Sequence, residues 1–395
     1  MKKKTIAILG STGSIGETTL EIIKKTNKLK VVLIVANKNY VKIISQINIF
    51  KPNIVIVNNY NVFIKIKKIN KYKKIIFLNK ISNIEKYIKK IDITVSAIPG
   101  IAGLEPTITF TKLSKKILLA NKESIVCGWK LIKKNATKYN TELVAIDSEH
   151  FSIEQLTKNY SNNEIEKIYI TASGGPFLKL NKNKFKNIKP KDAIKHPKWK
   201  MGKKISVDSA TLMNKVLELI EALRLFPFSL KKYEIIIHPQ SLIHAIVKLK
   251  NGTTKFLYHL PDMKIPISNA LFNNNFNYFK YFTNKNIKKN LIQNLQFFPV
   301  DTKKFPIIKL IPKMIATKAA PIIINAANEI FVDQFLKSNI HFNDISTYLN
   351  LVLKDKNYIK TSNMSSNSIK NIYKIDNRAR VLAHNIIKKI NGTNT

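Results

Sequence analysis

The chain has 395 residues, 68 Lys+Arg against 24 Asp+Glu, a formal net charge of +44 and 45% hydrophobic residues. That apolar fraction excludes a disordered polymer, and the length allows two or three domains with a sizeable core. The one cysteine, Cys127, excludes an intrachain disulfide.

The charge raises a nucleic-acid binder as a competing class. Arginine, however, occurs only at Arg224, Arg378 and Arg380, and the lysines are spread evenly. Base-reading interfaces favour arginine forks over lysine point charges. Lys, Ile and Asn are encoded by A/T-rich codons, so the composition reads as mutational drift. No uncharged apolar stretch approaches the ~18 residues of a membrane span. Lys2–Lys4 with the apolar residues after them only faintly resemble a signal peptide, because the run is short and meets Gly10 and Glu17. The expectation is a soluble cytoplasmic protein with no membrane partner and no specific nucleic-acid partner.

In chain order, residues 5–9 form an apolar run that ends in Gly10-Ser-Thr-Gly13-Ser-Ile-Gly16 and a helical pattern. Further strand-like runs are 31–35, 54–57, 75–78, 93–98, 117–119 and 143–146, several separated by helix-length segments. Alternating strands and helices predict an α/β fold, with a Rossmann-like, doubly wound parallel sheet over residues 1–150. Residues 151–272 read as a central α+β catalytic domain with strands at 168–171, 235–238 and 245–249. A loop over 172–203 has little periodicity, and loops that long inside a compact domain are usually functional or disordered. Residues 273–304 read as a connecting segment and 305–395 as a C-terminal helical domain, with helical spacing at 322–336.

The glycine run sits between a strand and a helix, where glycines allow a tight turn and close approach of a pyrophosphate to helix amides. Its spacing is G-x-x-G-x-x-G, and the alternative is a turn without a ligand. After the second strand stands Asn37-Lys38-Asn39, with no carboxylate to hold a ribose hydroxyl. Lys38 there favours NADPH over NADH, unless it is one more surface lysine. Asn121-Lys122-Glu123 follows another strand, where polar residues either face a ligand crevice or start a solvated helix. Asp147-Ser148-Glu149-His150 follows the run 143–146. On a strand, Asp147 and Glu149 share one face, and paired carboxylates with oxygen donors suit Mg²⁺ or Mn²⁺; the alternative is an ordinary acidic turn. Ser173-Gly174-Gly175 offers hydroxyl and backbone donors to an anion, or is a plain turn.

The longest motif runs from His196 to Ala222. A helix starting near Ser209, with Ser209 as its cap, would bury Leu212, Val216, Leu219 and Leu223. Asn214, Lys215 and Glu218 would lie off that stripe, and the alternative reading is a capped amphipathic helix whose polar face is merely wet. Trp199 in a polar loop suits a lid. His238 and His244 could be metal ligands, but nothing else supports zinc, so they read as hydrogen-bonded residues of the second domain.

Together the strings GSTGSIG (10–16), LLANKES (118–124), DSEH (147–150), SGGPF (173–177), HPKWKMGKKISVDSATLMNK (196–215), EIIIHPQSLIHAIV (234–247) and NAANEI (325–330) resemble the 1-deoxy-D-xylulose 5-phosphate reductoisomerase family. They span nearly the whole chain, and their combination is far more specific than any member. The resemblance implies a homodimeric enzyme of the non-mevalonate isoprenoid pathway. It would rearrange and reduce 1-deoxy-D-xylulose 5-phosphate to 2-C-methyl-D-erythritol 4-phosphate, by retro-aldol cleavage, re-aldolisation and hydride transfer from NADPH. By the same resemblance Thr12, Gly13, Ser14 and Ile15 line the cofactor pyrophosphate, and Asn37, Lys38 and Asn39 the adenosine 2′-phosphate. Asn121, Glu123 and Gly202 meet the cofactor further along. Asp147, Glu149 and Glu218 hold one cation, Mg²⁺ or Mn²⁺ with Co²⁺ a further candidate. Ser173, His196, Ser209 and Asn214 bind the substrate phosphate, while Ser148, Lys122 and Lys215 meet the rest of the substrate beside Glu149 and Glu218. Lys215, Glu149 and Glu218 are the implied catalytic residues, and Trp199 and Met201 belong to the lid. Asn37, Ala172 and Val216 stand where the family often has glycine, and none of them removes a functional group. The alternative within enzymes is a metal-assisted reductase of another sugar phosphate, without isomerisation.

Overall fold

A computed structural model of the chain describes residues 3–69, 72, 74–199, 201–282 and 294–392. The described residues form two compact units. One comprises residues up to 124, 130–148 and 263–282; the other comprises 125–129, 149–262 and 294–392.

The first unit is built on seven strands: β1 (Lys4–Leu9), β2 (Leu29–Ala36), β3 (Ile54–Val57), β4 (Ile76–Leu78), β5 (Ile91–Ser96), β6 (Ser114–Leu119) and β7 (Glu142–Ala145). They pair in parallel in the order β4-β3-β2-β1-β5-β6-β7. Helices α1 (Ser14–Thr26), α2 (Tyr40–Phe50), α3 (Tyr60–Lys67), α4 (Leu104–Leu113) and α5 (Lys122–Tyr139) connect them. Parallel strands covered on both faces should be apolar throughout, and β3, Ile-Val-Ile-Val, is buried at every position. The strand order reverses between β1 and β5, where the connecting helices diverge and open a crevice at the carboxyl ends.

In the second unit, α6 (Ser148–Thr157), β8 (Ile165–Ala172), α7 (Pro190–Ala193), α8 (Lys203–Thr211) and α9 (Met213–Leu225) lead into β9 (Tyr233–Ile237), β10 (Ile243–Leu249) and β11 (Thr254–Tyr258). Next, α10 (Lys264–Phe272) and α11 (Tyr278–Tyr281) belong to the first unit, where Lys264 pairs with Glu21 of α1 at 3.3 Å. With β12 (Phe298–Pro299) the second sheet has the order β11-β10-β8-β9-β12; only β8 and β9 are parallel. The chain then turns helical: α12 (Ile311–Met314), α13 (Ala320–Leu336), α14 (Phe342–Val352), α15 (Lys356–Ser362) and α16 (Ile369–Gly392). α13 is apolar around most of its circumference, as a central helix must be. Arg380 of α16 ties to it with its fork on Asp376 and Glu329.

Three local expectations change. Asp147 and Glu149 do not alternate on a strand: β7 stops at Ala145 and α6 begins at Ser148. Asp and Ser compete for backbone hydrogen bonds and so favour helix starts over strand interiors. Ser209 is not a cap, because α8 already contains it; the break comes at Leu212, whose φ is 65°. A left-handed leucine is costly, and Leu212 is held there by full burial and by its N–H on Ser209 O. The segment 172–203 also carries structure, with a 3-10 turn at Lys182–Asn187, helix α7, and Phe177, Phe185, Ile188 and Ala193 buried. Lys200 of the expected lid and residues 283–293 of the expected connecting segment lie outside the described residues.

At the β1–β5 crevice the glycines are sterically required. Gly10 has φ +86°, and a β-carbon on it would sit 2.5 Å from Ala97 O. On Gly16 a β-carbon would fall 2.4 Å from Gly10 O, against backbone that cannot yield. Gly16→Ala should therefore lower unfolding stability by about 1–3 kcal/mol, the usual range for overpacking. A urea melt checks this, and an unchanged midpoint would show that the turn has room.

Candidate active site

The first unit contributes a backbone site. Gly13 precedes α1 in extended conformation and supplies no side-chain cap. The first N–H groups of α1 thus point outward beside exposed Gly13 and Ser14 and half-buried Thr12 and Ile15. Outward amides at the positive end of a 13-residue helix suit a pyrophosphate, and a side chain at Gly10 or Gly16 would collide with the backbone that shapes this turn. The residues present therefore fit a dinucleotide. Gln46, buried under the loop, donates to Ser11 O at 2.9 Å and fixes its path.

Asn37, Lys38 and Asn39 lie exposed at the end of β2. Asn37 is not among the residues with positive φ, so asparagine costs nothing at this place. Asn39 also has a local task, since its Oδ1 accepts from Lys42 N at 3.1 Å and caps α2. Asn121 behaves alike at α5: its Oδ1 caps Ser124 N, and its Nδ2 donates to Ile98 O and to Gly100 O at 3.0 Å. One buried amide thereby ties the loops after β5 and β6 together. Glu123, in the first turn of α5, is buried as well. Lys122 reaches Asp147 at 3.3 Å, a pair that sequence alone did not indicate.

In the second unit the centre is charged. Glu149 on α6 and Glu218 on α9 are both buried, and both close on the ammonium of Lys215. Lys215–Glu218 measures 2.6 Å and spans one turn of α9. Asn214 also donates to Glu218. Ligand oxygens of the two glutamates lie within 4.8 Å of each other. Two carboxylates here share one ammonium, so the trio carries excess negative charge away from water. That is the condition under which a hard divalent cation with oxygen ligands binds well. Asp147 is joined to Glu149 through Ser148 alone, which keeps a third carboxylate within side-chain reach. These residues fit a cation. From Met213 to Ala222, α9 is buried on nearly every side, so Lys215 and Glu218 are enclosed by packing although the amphipathic pattern placed them off the apolar stripe.

The next group is neutral. Both the Lys198 and Trp199 amides donate to His196 Nδ1, at 3.1 and 2.9 Å. Nδ1 is therefore an acceptor, and Nε2 carries the proton toward Ser173 Oγ at 2.9 Å. Burial, with the Lys215 charge second, pushes the His196 pKa down to about 4. Gly174 and Gly175 have φ of +81° and +66°, and the turn lies flat on α8 beside Ser209. Gly202 is different: a β-carbon there meets nothing within 4 Å. Trp199 is half-buried, edge-on to His244 with ring centroids 6.0 Å apart.

His244 stacks on His259 at 4.1 Å and stands 3.9 Å from Glu149 through Nδ1. His238 hydrogen-bonds Gln296 O at 2.9 Å and accepts from Leu242 N. The pattern of acidic and hydroxyl residues did not single out His150. Fully buried, it gives its Nε2–H to Glu218 O at 2.9 Å while adjoining Glu149 in the chain. Asp208 and Asn328 were missed too, and only burial distinguishes them.

A nucleotide-fold sheet with a bare helix end, together with a buried carboxylate–lysine centre, defines a cofactor- and cation-dependent α/β enzyme. Family models agree and name it. Residues 6–128 match the model for 1-deoxy-D-xylulose 5-phosphate reductoisomerase, 143–226 its C-terminal domain, and 259–382 the DXP reductoisomerase C-terminal domain. The Pelagibacter ubique (strain HTCC1062) 1-deoxy-D-xylulose 5-phosphate reductoisomerase is 46% identical over 378 residues, covering 94% of this chain and 97% of its own. That of Sulfurihydrogenibium sp. (strain YO3AOP1) is 38% identical, covering 98% and 99%. Among solved structures, DOX-P reductoisomerase in complex with NADPH, fosmidomycin and magnesium superposes with a TM-score of 0.88 at 33% identity, covering 98% of this chain and 99% of that one. The Zymomonas mobilis enzyme in complex with NADPH gives 0.87 at 31%, covering 98% and 100%. The chain belongs to the 1-deoxy-D-xylulose 5-phosphate reductoisomerase family. Among the described residues, no helix is long and apolar enough to cross a membrane.

The His196 pKa gives a pH signature. Because the folded value, about 4, lies below the ordinary imidazole value of 6.5, the unfolded chain binds the proton more readily between them. The contribution is complete above pH 6.5 and is lost as pH falls through 4. The His196 ring protons should titrate near 4 in an NMR pH series, and a midpoint above 6 would contradict the assigned tautomer and burial.

Proposed function

We propose that this chain converts 1-deoxy-D-xylulose 5-phosphate to 2-C-methyl-D-erythritol 4-phosphate, using NADPH and a divalent cation. The observation that carries the reading is the buried Glu149–Lys215–Glu218 cluster, one residue removed from Asp147, in a family whose solved members hold NADPH and magnesium. The functional division we assign is an NADPH domain over 1–150, a catalytic domain over 151–272 with its lid in 172–203, a connecting segment over 273–304 and a helical domain over 305–395.

Asp147, Glu149 and Glu218 would hold the cation, Mg²⁺ or Mn²⁺ with Co²⁺ also suited to the oxygen donors. When bound, such an ion polarises a carbonyl as a Lewis acid and orients the hydroxyl beside it. Thr12, Gly13, Ser14 and Ile15 would take the pyrophosphate of NADPH, which supplies the hydride. Asn37, Lys38 and Asn39 would take its 2′-phosphate, and Asn121, Glu123 and Gly202 would contact it nearer the nicotinamide.

Ser173, Ser209, Asn214 and the Nε2–H of His196 present neutral donors to the substrate phosphate. Lys122 and Ser148 meet its hydroxyls. Lys215 keeps its positive charge between two glutamates, and there it stabilises the oxygen that becomes negative as the carbon–carbon bond breaks and re-forms. Trp199 and Met201 close over the fragments and exclude water, so that they recombine rather than escape. Outer strands β11 and β12 expose Phe256 and Phe298, which supports a homodimer through sheet edges. A reducing cytoplasm suits a chain whose one cysteine, Cys127, is buried and in no intrachain disulfide.

Incubation with 1-deoxyxylulose 5-phosphate, NADPH and Mg²⁺ should oxidise NADPH and yield the branched polyol phosphate. Oxidation without the branched product would favour a plain reductase. Glu218→Gln should weaken Mn²⁺ binding, read by electron paramagnetic resonance, at least about tenfold, since even outer partners of a metal ligand are worth that much. Its NADPH affinity should stay within about twofold, and equal loss of both would remove Glu218 from the cation site.

A further inference from the structure

Helix α8 is the platform on which two of the proposed phosphate ligands meet. Ser209 sits on it, and the glycine turn after Ser173 rests against it. A β-carbon on Gly175 would fall 2.9 Å from Ala210 Cα and 3.1 Å from Ser209 O. The position of α8 therefore sets the spacing between the Ser173 hydroxyl and Ser209.

The residue beside Ser209 is Asp208, a carboxylate only 1% exposed. Asn328 of α13, fully buried and 120 residues away, donates its Nδ2–H to Asp208 Oδ1 at 2.8 Å. Lys204, two residues after Gly202, lies 3.0 Å from Oδ2. Asn328 Oδ1 is buried with no protein partner among the described residues, so the bond to Asp208 is what this buried amide gains, on a stretch of α13 that also buries Asn325. An apolar pair of equal volume would hold two helices together about as well, but it would not fix their rotation. A carboxylate facing an amide is directional, and it is satisfied at one rotation of α8.

We propose that Asp208 and Asn328 are a positioning pair. They lock α8, and with it Ser209 and the Ser173–Gly175 turn, in the geometry that receives the substrate phosphate. Neither side chain touches substrate. The inference rests on the reading of Ser173 and Ser209 as phosphate ligands given above.

Steady-state kinetics of the full chain test it. Asn328→Asp sets two carboxylates face to face and should raise KM for 1-deoxyxylulose 5-phosphate about tenfold or more, as small misplacements of binding groups do. Its kcat and its KM for NADPH should change less than about twofold. The exchange Asp208→Asn with Asn328→Asp restores one acid opposite one amide and should return KM most of the way to the parent value. Should Asn328→Asp fail to fold, Asn328→Ser, which shortens the donor, should show the same selective rise. A parallel fall in kcat and in both affinities, without rescue by the exchange, would mean a structural bond only. Ser209→Ala separates the layers. If it raises KM while the Asn328 variants do not, the pairing idea alone fails. If Ser209→Ala leaves KM unchanged, the phosphate reading fails and the pairing idea falls with it.

Discussion

Lys215 held between Glu149 and Glu218 is the interaction on which the second unit depends. Removing three charges from water costs several kcal/mol per ion unless each meets a partner in good geometry. The chain meets that condition by bringing together helices far apart in sequence. α6 delivers Glu149, α9 delivers Lys215 and Glu218, and His150 joins the two by bonding the backbone of Glu218. Leu212 breaks the chain between α8 and α9, and α9 is then buried on nearly every side, its polar residues included.

The first unit takes the opposite approach. Its proposed cofactor surface is nearly all backbone: amides at the start of α1 and glycines packed against the backbone of Ala97 and Ser11. Such a surface tolerates drift in side chains and is intolerant of a single β-carbon. The second unit tolerates little change in charge. Neutral donors around His196 and Ser173 complement it, because a histidine kept uncharged beside Lys215 does not compete with it for the glutamates and, on the proposed reading, would receive a phosphate.

Against this background the +44 charge loses most of its apparent meaning. Two of the three arginines stand where a planar fork or a buried donor is needed: Arg380 on Asp376 and Glu329, and Arg224, which donates to Ile125 O. Isoleucine fills the core of both units, as it can wherever volume and apolarity suffice.

The amino-acid sequence by itself determined the parallel sheet, since buried strands need apolar runs and those runs are local. It also determined the glycine turn and the identities of the candidate site residues, which sit in short contiguous strings. The tertiary structure decided which polar residues are buried. Periodicity put Lys215 and Glu218 off the apolar stripe of a helix that proves buried nearly all round, and Asp147 and Glu149 read as a strand pair until a helix began between them. Asp208 with Asn328, and His150 with Glu218, are invisible to periodicity because their partners lie 120 and 68 residues away. Hydrophobic pattern is a property of neighbours along the chain. Burial of a charge is a property of what the rest of the chain brings to it.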